Sequence, residues 1–352
     1  MKICFITYNL NITDGGGRFS YDLVKSLKKE SVEVTVITTE GKRSLLDFFR
    51  IRKIFKNSDI IHAIDIWPNG FYARLISLGL KKPIVVTALG TYSVAQFYSW
   101  RRSIMKWACD NIRIIAISDY TKEKIIEIMP KLKIGVITPG FDLDFWSNKE
   151  VRLQEFPEVG LRKPYVLSVG ALKLRKGYDN SIKAFAIVSQ KISGLNYIII
   201  GQGEESDYAR KLKYIVKENG IENRVFFVSS GIDDSALLEF YKNAELFVLT
   251  PAQENYHFEG FGIVYLEAAA SGLPIVSTHN NGATSAVSNN YNGLLVPQNN
   301  PEATADAISE ILFNTALKSK LSQNSLQWVK NFSWEKIMGQ YIKIYNDITS
   351  NN

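Results

Sequence analysis

Glu259 and Glu267 are the first candidates for chemistry, because they flank a glycine-containing turn and the start of a helix. Between them stand Gly260, Phe261 and Gly262, where the glycines allow a ligand to approach the backbone. Each carboxylate can accept hydrogen bonds from sugar hydroxyls, while the amides at the helix start face an anion. The segment therefore indicates a site for hydroxyls and an anion. The alternative is an exposed Glu267 and a Glu259 that serves only the helix dipole.

A basic loop is the second candidate. It follows the predicted strand Tyr165–Val169 and carries Lys173, Arg175 and Lys176 before a helix begins near Asp179. Cations beside a helix N-terminus stabilise a diphosphate. The alternative is a solvated basic turn.

Three contiguous glycines follow the first predicted strand. Gly15, Gly16 and Gly17 precede a helix, so their amides suit a phosphate or a sugar. The dinucleotide spacing G-x-G-x-x-G is absent, although Glu40 follows the second strand where a ribose-binding acid would stand. A tight turn without a ligand is the alternative to a phosphate or sugar contact.

Strands and helices must alternate to position these loops. Continuous apolar runs rich in Val and Ile predict strands buried on both faces, and the helical patterns between them predict parallel, doubly wound sheets. The predicted strands are 2–8, 32–38, 60–63, 84–88, 112–117, 134–138, 165–169, 197–200, 224–228, 246–249, 274–278 and 293–296. Predicted helices include 20–29, 121–128, 179–190, 236–242 and about 262–271. The fold class is therefore α/β, with two Rossmann-like domains that meet near 146–162 and face one another.

Length and charge agree with two domains. The chain has 352 residues and a formal net charge of +7, and residues 1–157 hold 24 Lys+Arg against 16 Asp+Glu. The excess positive charge therefore lies in the first half, which predicts an anionic partner there. Cys4 and Cys109 are too few for a disulfide framework or a zinc cluster, which favours a reduced, cytoplasmic setting. We recognise neither a signal peptide nor a membrane-spanning segment.

Taken together, these motifs resemble the retaining glycosyltransferases of family four, which have the GT-B fold. The resemblance runs through nearly the whole chain. Besides the two-glutamate motif it includes the segments 15–17, 87–92, 118–122, 139–142, 169–177, 201–203, 281–282 and 293–297.

The resemblance implies roles for individual residues. Lys176 would bind the diphosphate of a nucleotide sugar, Glu259 would contact its sugar, and Glu267 would hold the ribose hydroxyls. Lys176 and Glu259 are thus the expected catalytic residues. The expected donor-binding residues are Gly16, Gly17, Arg175, Lys176, Glu259, Gly260, Phe261, Gly262 and Glu267. Candidates for the acceptor or the cleft are His62, Gly90, Thr91 and Tyr92, where His62 is equally compatible with a packed structural role.

The sequence departs from the family pattern twice. Ala171 stands where the family usually has an arginine, and Leu89 stands where it often has a histidine. Lys173 or Arg175 could replace the lost charge. Asp142 and Asp144 have the spacing of a metal-binding pair, but they follow a Pro-Gly loop rather than a strand. We therefore expect no metal and no cofactor beyond the nucleotide-diphosphate sugar.

The resemblance also divides the chain. Residues 1–157 are the expected acceptor-binding domain, and residues 158–335 are the expected donor-binding domain. A C-terminal helix, 336–352, would cross back onto the first domain. Its apolar stripe includes Ile337, Tyr341 and Tyr345.

Two stretches of the first half combine aromatic and basic residues. Residues 45–56 read LLDFFRIRKIFK, and residues 98–107 read YSWRRSIMKW. Such helices can lie in the interface of an anionic bilayer, although packing on the sheet is the alternative. No signature for nucleic-acid binding accompanies the charge. The expected location is cytoplasmic, peripheral on the inner face of the cytoplasmic membrane.

The sequence thus predicts a retaining, metal-independent hexosyltransferase. It would move a sugar to a carbohydrate or lipid-linked acceptor in the biosynthesis of cell-surface polysaccharide, lipopolysaccharide or glycolipid. The alternatives are a weak or inactive nucleotide-sugar-binding scaffold subunit and a different nucleotide-using α/β enzyme, such as an oxidoreductase. The base, the sugar and the acceptor stay open.

Overall fold

The computed structural model describes residues 1–12, 14–41, 45–110, 112–148, 164–229 and 232–350. It forms two compact units. The first comprises Met1–Gly140 and Phe332–Asn352, and the second comprises Phe141–Asn331. The predicted boundary at 157/158 lies outside the described residues.

Each unit is built on a six-stranded parallel sheet, which confirms the predicted α/β class. In the first sheet the order is β2-β1-β3-β4-β5-β6, and in the second it is β12-β11-β10-β7-β8-β9. The strands are β1 (Lys2–Thr7), β2 (Glu33–Thr38), β3 (Ile60–Ile64), β4 (Ile84–Ala88), β5 (Arg113–Ala116), β6 (Ile134–Val136), β7 (Tyr165–Val169), β8 (Asn196–Ile200), β9 (Val225–Val228), β10 (Leu246–Val248), β11 (Ile275–Thr278) and β12 (Gly293–Val296).

Helices connect the strands in both units. They are α1 (Gly15–Lys29), α2 (Leu45–Asn57), α3 (Phe71–Ile76), α4 (Thr91–Ala95), α5 (Arg102–Cys109), α6 (Asp119–Ile128), α7 (Leu143–Asn148), α8 (Tyr178–Lys191), α9 (Asp207–Glu218), α10 (Asp234–Asn243), α11 (Ile263–Ala270), α12 (Pro301–Phe313), α13 (Thr315–Trp328) and α14 (Trp334–Ser350). Among the described residues, no helix has the length and apolar character needed to cross a bilayer.

The predicted strands are all present, with ends that differ by at most two residues. Central strands such as β3, β4 and β7 are buried along their whole length, as their continuous apolar sequences require. The first helix differs from its prediction, because it begins at Gly15 rather than Ser20. The Asp14 side chain accepts a hydrogen bond from the Gly17 amide at 2.7 Å, which caps the helix and draws the glycines into its first turn.

The C-terminal helix α14 belongs to the first unit. Tyr341 and Tyr345 are fully buried there, beside His62 of β3. At its start, Trp334 covers Gly140 so closely that a β-carbon on this glycine would lie 2.2 Å from the indole ring. The last helix is therefore part of the core of the first unit.

Candidate active site

The second sheet has its topological switch point between β7 and β10. From β7 the chain proceeds to β8 and β9 on one side, and it returns to the other side of β7 with β10. In open parallel sheets, ligands bind outside the carboxyl ends of the strands at this point. Here the loops are 170–177 after β7 and 249–262 after β10, which contain the basic loop and the first glutamate.

Hydrogen bonds and close packing join the two loops around Gly177. This residue has φ +66°, and a β-carbon would lie 1.8 Å from the carbonyl oxygen of Thr250. The Thr250 hydroxyl donates to the Gly177 carbonyl at 2.7 Å, and the Ala252 amide donates to the Arg175 carbonyl at 3.1 Å. Glycine is required here because the approach of the chains leaves no space for a side chain.

This contact brings Arg175, Lys176 and Glu259 together. Oε2 of Glu259 lies 2.7 Å from Nη1 of Arg175 and 2.7 Å from Nζ of Lys176. Lys176 and Glu259 are buried, whereas Arg175 is half-buried. Two cations thus share one carboxylate, so the cluster carries one positive charge in excess.

Burial and charge act in opposite directions on the pKa of Glu259. Burial alone would raise it, but the charges and hydrogen bonds of Lys176 and Arg175 outweigh this effect and lower the pKa to about 2. Burial, together with the Arg175 charge, lowers the pKa of Lys176 against the opposing effect of Glu259. Glu259 is therefore ionised at neutral pH.

The turn after Glu259 is supported by the loop that follows β11. The Gly282 amide donates to the Glu259 carbonyl at 2.7 Å, and a β-carbon on Gly282 would lie 2.0 Å from the Gly260 carbonyl oxygen. Phe261 is buried, and Gly262 has φ +85° at the cap of α11. These contacts fix the backbone of the predicted donor-binding segment.

Glu267 has a partner that the sequence did not reveal. The Tyr241 hydroxyl, from α10, donates to Oε2 of Glu267 at 2.8 Å, and both residues are buried. Trp146 of α7 packs edge-on against the Tyr241 ring, with centroids 5.5 Å apart. Burial and the neighbouring Glu267 raise the pKa of Tyr241 well above its ordinary value, so the hydroxyl stays protonated and keeps donating.

The two cations considered as replacements for the family arginine differ in their contacts. Arg175 reaches Glu259, whereas the Lys173 side chain is exposed. Of the two replacements considered for the charge absent at Ala171, only Arg175 joins this cluster.

The glycine loop after β1 has a packing role at Gly17. This residue is buried, and a β-carbon there would lie 2.3 Å from the Asn11 carbonyl oxygen. The Gly17 amide already donates a hydrogen bond to Asp14. Gly16 is half-buried. Ligand binding by Gly16 and Gly17 stays a prediction.

His62 does not face a cleft, contrary to one of its two predicted roles. It is fully buried in β3, where Nε2 lies 2.9 Å from the Thr87 hydroxyl and Nδ1 lies 2.7 Å from the Tyr345 hydroxyl. Burial lowers the pKa of this imidazole to about 3, so it is neutral. His62 therefore connects β3 to α14.

The other candidates of the first unit lie after β4. Gly90 has φ +110° and precedes α4, in which Thr91 is buried and Tyr92 is exposed. Beside them is Asp65, which no sequence motif indicated. Its Oδ1 accepts hydrogen bonds from the Leu89 amide at 3.0 Å and from the Ser93 hydroxyl at 2.5 Å.

Asp142 and Asp144 both lie at the start of α7. Oδ1 of Asp142 accepts from the Phe145 amide at 3.2 Å, an interaction at the start of α7, and the Asp144 side chain lies in the first turn of that helix. Within the part of the chain that the structure describes, no cluster of three or more His, Cys, Asp or Glu has the arrangement of a metal site.

Two family descriptions match the chain. Residues 152–328 match Glycosyl transferases group 1, and residues 40–145 match Glycosyltransferase Family 4. The first match spans half of the chain and contains the whole candidate site of the second unit.

Individual relatives and structures agree with these matches. A D-inositol 3-phosphate glycosyltransferase of Corynebacterium glutamicum is 27% identical over 348 residues, covering 93% of this chain and 80% of that protein. A GDP-mannose-dependent phosphatidylinositol monomannoside mannosyltransferase of Mycobacterium tuberculosis is 26% identical over 243 residues, covering 67% and 62%. The crystal structure of Anabaena HepE in complex with UDP superposes with a TM-score of 0.79 at 20% identity, covering 99% and 100%. The fold and the family match lead to one conclusion: the chain belongs to the glycosyl transferases group 1, with the GT-B fold of the family-four type.

Proposed function

We propose that this protein transfers a sugar from a nucleoside-diphosphate sugar to an acceptor hydroxyl, with retention of the anomeric configuration. The observation that carries the proposal is the cluster in which Arg175 and Lys176 share Oε2 of Glu259. It lies at the switch point of the second sheet, where phosphate-bearing ligands bind in open α/β sheets. Its excess positive charge is suited to a diphosphate.

The chemical role of the cluster is electrostatic. When the bond from the anomeric carbon to the diphosphate oxygen breaks, negative charge develops on that oxygen. Lys176 and Arg175 stabilise this charge, because Glu259 holds both cations in place before the reaction and Lys176 is buried. The acceptor oxygen forms the new bond on the same face of the sugar, and its proton passes to the departing phosphate. In this account Glu259 positions the cations and contacts the donor sugar.

Glu267 is the proposed ligand of the ribose hydroxyls. Its buried carboxylate is oriented by the Tyr241 hydroxyl, so that it is fixed for hydrogen bonds from a diol.

Metal independence is part of the proposal, since the excess positive charge of the Arg175–Lys176–Glu259 cluster would stabilise the diphosphate in place of a metal ion. Transfer that persists unchanged in excess EDTA supports this point, and loss of transfer that Mg²⁺ or Mn²⁺ restores contradicts it.

The donor can be identified by its effect on thermal unfolding. The names of the relatives include GDP-mannose, and the HepE structure contains UDP, so both bases belong in the test. We expect one member of a panel of UDP-, GDP- and ADP-sugars to raise the melting temperature. A ligand at 100 times its Kd contributes about 2.7 kcal/mol to stability. The absence of a shift with every member at millimolar concentration would contradict the proposal.

A nucleotide-sugar-binding subunit without turnover is the second candidate function. The replacement of the family arginine by Ala171 and of the family histidine by Leu89 motivates this candidate. Donor-dependent glycosylation of any acceptor excludes this candidate, whereas a thermal shift without nucleoside-diphosphate release under all conditions would favour it.

We further propose that the acceptor is lipid-linked or anionic and is met at a membrane surface. In the first unit, Arg52 of α2 donates to the carbonyls of Ile76 and Leu78, which joins α2 to the end of α3. Helix α3 also packs against α5. Contacts thus join the three helices, and we name the surface that they expose the α2–α3–α5 face.

This face exposes large apolar side chains beside cations. Leu46 and Phe49 of α2 are 80% and 67% exposed, and Trp100, just before α5, is 78% exposed. The Arg101 guanidinium lies 4.8 Å from the centre of the Trp100 ring. Aromatic side chains with adjacent cations favour the interface of an anionic bilayer. The phosphatidylinositol monomannoside in the name of the mycobacterial relative is a lipid acceptor of the kind we propose. The proposed role of the protein is therefore the synthesis of cell-surface polysaccharide, lipopolysaccharide or glycolipid at the cytoplasmic membrane.

A further inference from the structure

The first sheet has a switch point of its own, and one carboxylate lies there without a role in the proposed donor site. Strand β1 stands between β2 and β3, because the chain passes from β1 to β2 and returns on the other side with β3. Asp65 follows β3 directly, at the carboxyl ends of these strands. By the topology of open α/β sheets, this is a ligand-binding position.

Three loops converge around Asp65. Leu89, after β4, donates its amide to Oδ1 of Asp65 at 3.0 Å. The loop after β1 reaches the same place, since a β-carbon on Gly16 would lie 3.7 Å from a methyl group of Leu89. The predicted acceptor candidates Gly90, Thr91 and Tyr92 come next in the chain. Asp65 thus lies among the loops after β1, β3 and β4.

The two oxygens of Asp65 have different surroundings. Oδ1 accepts both hydrogen bonds, from the Leu89 amide and the Ser93 hydroxyl, so the orientation of the carboxylate is fixed. Among the described residues no hydrogen bond reaches Oδ2, and the side chain is only partly buried. Oδ2 is therefore available to accept a hydrogen bond from a ligand.

The backbone at Asp65 is held in an unusual conformation. Its φ is +65° with ψ 147°, a region that costs a residue other than glycine about 1–3 kcal/mol. Strain of this kind persists where the surroundings require one placement of a side chain.

Burial also raises the pKa of Asp65 to about 6, against the hydrogen bonds from Ser93 and Leu89 that lower it. At neutral pH the group is a carboxylate, and a hydrogen bond from a ligand hydroxyl would stabilise its charge.

We infer that Asp65 binds the acceptor, with Oδ2 accepting a hydrogen bond from the hydroxyl of a polyol or sugar. The inference rests on the proposed transferase function and specifies the residue in the first unit that holds the acceptor. The ligand class follows from the chemistry, because a carboxylate oxygen accepts from hydroxyl groups and repels phosphates.

The test compares Asp65→Asn with Asp59→Asn. In the first variant the amide oxygen of the introduced asparagine can still accept from Leu89 and Ser93, so the structural bonds are kept and only Oδ2 is replaced by an amide nitrogen. Asp59 stands at the opposite end of β3, where Oδ2 accepts from the Lys2 amide at 2.7 Å. It is the matched control for the loss of one charge beside the same strand.

The probe is glycerol at molar concentration, added with the nucleotide sugar that gives the thermal shift. The measured quantity is the partition of donor between glyceryl glycoside and free sugar from hydrolysis. We expect Asp65→Asn to lower the glyceryl fraction about tenfold or more, as the loss of a hydrogen bond to a charged group does. Hydrolysis and the donor-induced thermal shift should stay within about twofold of wild type, since neither involves the acceptor. Asp59→Asn should behave as wild type in all three measurements.

Several results would overturn the inference. These are an unchanged glyceryl fraction in Asp65→Asn, equal losses in both variants, or a wild-type protein that hydrolyses donor without forming any glyceryl glycoside. If Asp65→Asn does not fold, Ser93→Ala serves as the second variant. It keeps the carboxylate and removes one of the bonds that orient it, and it should lower the glyceryl fraction about threefold; no decrease would contradict the inference. A wild type that neither binds nor consumes any donor refutes the proposed function instead.

Discussion

At the scale of single residues, the fold controls the protonation of several buried groups. Glu259 is held ionised by two cations, Tyr241 is held protonated beside Glu267, and His62 is held neutral inside the first unit. Sequence spacing indicated the first of these groups, because Glu259 stands in a recognisable motif. It did not indicate Tyr241 or Asp65, since each is a single residue whose partner lies 26 or 28 positions away.

We predict that Tyr241→Phe weakens nucleotide binding while the fold is retained. The variant removes the hydrogen bond to Glu267, so the carboxylate loses its orientation and the buried charge loses a partner. The expected rise in the Kd of the nucleoside diphosphate, measured by calorimetry, is about tenfold. Tyr214→Phe is the control, because Tyr214 is exposed on α9. Equal affinity in the two variants would argue against a positioning role for Tyr241.

The lowered pKa of Glu259 predicts a pH dependence of stability. A carboxyl whose pKa falls from 4.5 to about 2 on folding stabilises the protein above pH 4.5, and the contribution is lost as the pH falls towards 2. By this linkage it amounts to about 3 kcal/mol at most. Urea unfolding of wild type and Glu259→Gln should therefore show a difference in stability that shrinks as the pH is lowered from about 5.5 to about 3. A difference that is constant over this range would contradict the lowered pKa.

At the scale of elements, two loops position Arg175, Lys176 and Glu259, and helices α10 and α11 position Tyr241 and Glu267. The strands were predictable because each buried strand needs a continuous apolar run. The start of α1 was not, because three glycines in sequence favour a loop unless a cap such as Asp14 draws them into the helix. The role of His62 was also beyond the local pattern, since its partner Tyr345 lies 283 residues later. Contacts between distant elements decide such cases.

The close contact between the two site loops predicts that substitution of Gly177 strongly lowers the stability of the protein. We expect Gly177→Ala to lower the free energy of unfolding by about 3 kcal/mol or more, because strain at positive φ adds to the collision with Thr250. Gly194→Ala is the matched control: φ is +77° there, with nothing within 4 Å of a β-carbon. It should cost only about 1 kcal/mol. Denaturant unfolding measures both, and equal costs would show that the two loops adjust freely around Gly177.

At the scale of the whole molecule, the charge asymmetry and the exposed apolar residues belong to the same unit. The positive excess of residues 1–157 accompanies the α2–α3–α5 face, whereas the Arg175–Lys176–Glu259 cluster lies in the second unit. The sequence predicted this division of charge by counting. It could not predict that α2 leaves Leu46 and Phe49 exposed, because an amphipathic helix of this composition can equally turn its apolar side to the sheet.

The membrane proposal predicts salt-dependent binding to anionic vesicles. Wild type should sediment with phosphatidylcholine–phosphatidylglycerol vesicles at low ionic strength and should be released as salt screens the cations. Phe49→Ser with Trp100→Ser should reduce the bound fraction about tenfold, since two large apolar contacts are lost. Phe313→Ser, which changes an exposed aromatic of the second unit, should have no effect. Wild type that stays in the supernatant at low salt would refute the proposal.

The central claim is that the second unit activates a nucleoside-diphosphate sugar through Lys176 and Glu267. The most direct measurement is the rate of sugar transfer from the donor found by thermal shift, in wild type, Lys176→Ala, Glu267→Ala and Lys173→Ala. Lys173 is the matched control, as an exposed cation of the same loop. We predict that the first two variants fold and lose transfer by a factor of about 100 or more, while Lys173→Ala stays within about threefold. Lys176→Ala removes the charge that stabilises the leaving diphosphate, and Glu267→Ala removes the ligand of the ribose hydroxyls. Full activity in folded Lys176→Ala or Glu267→Ala would contradict the central claim.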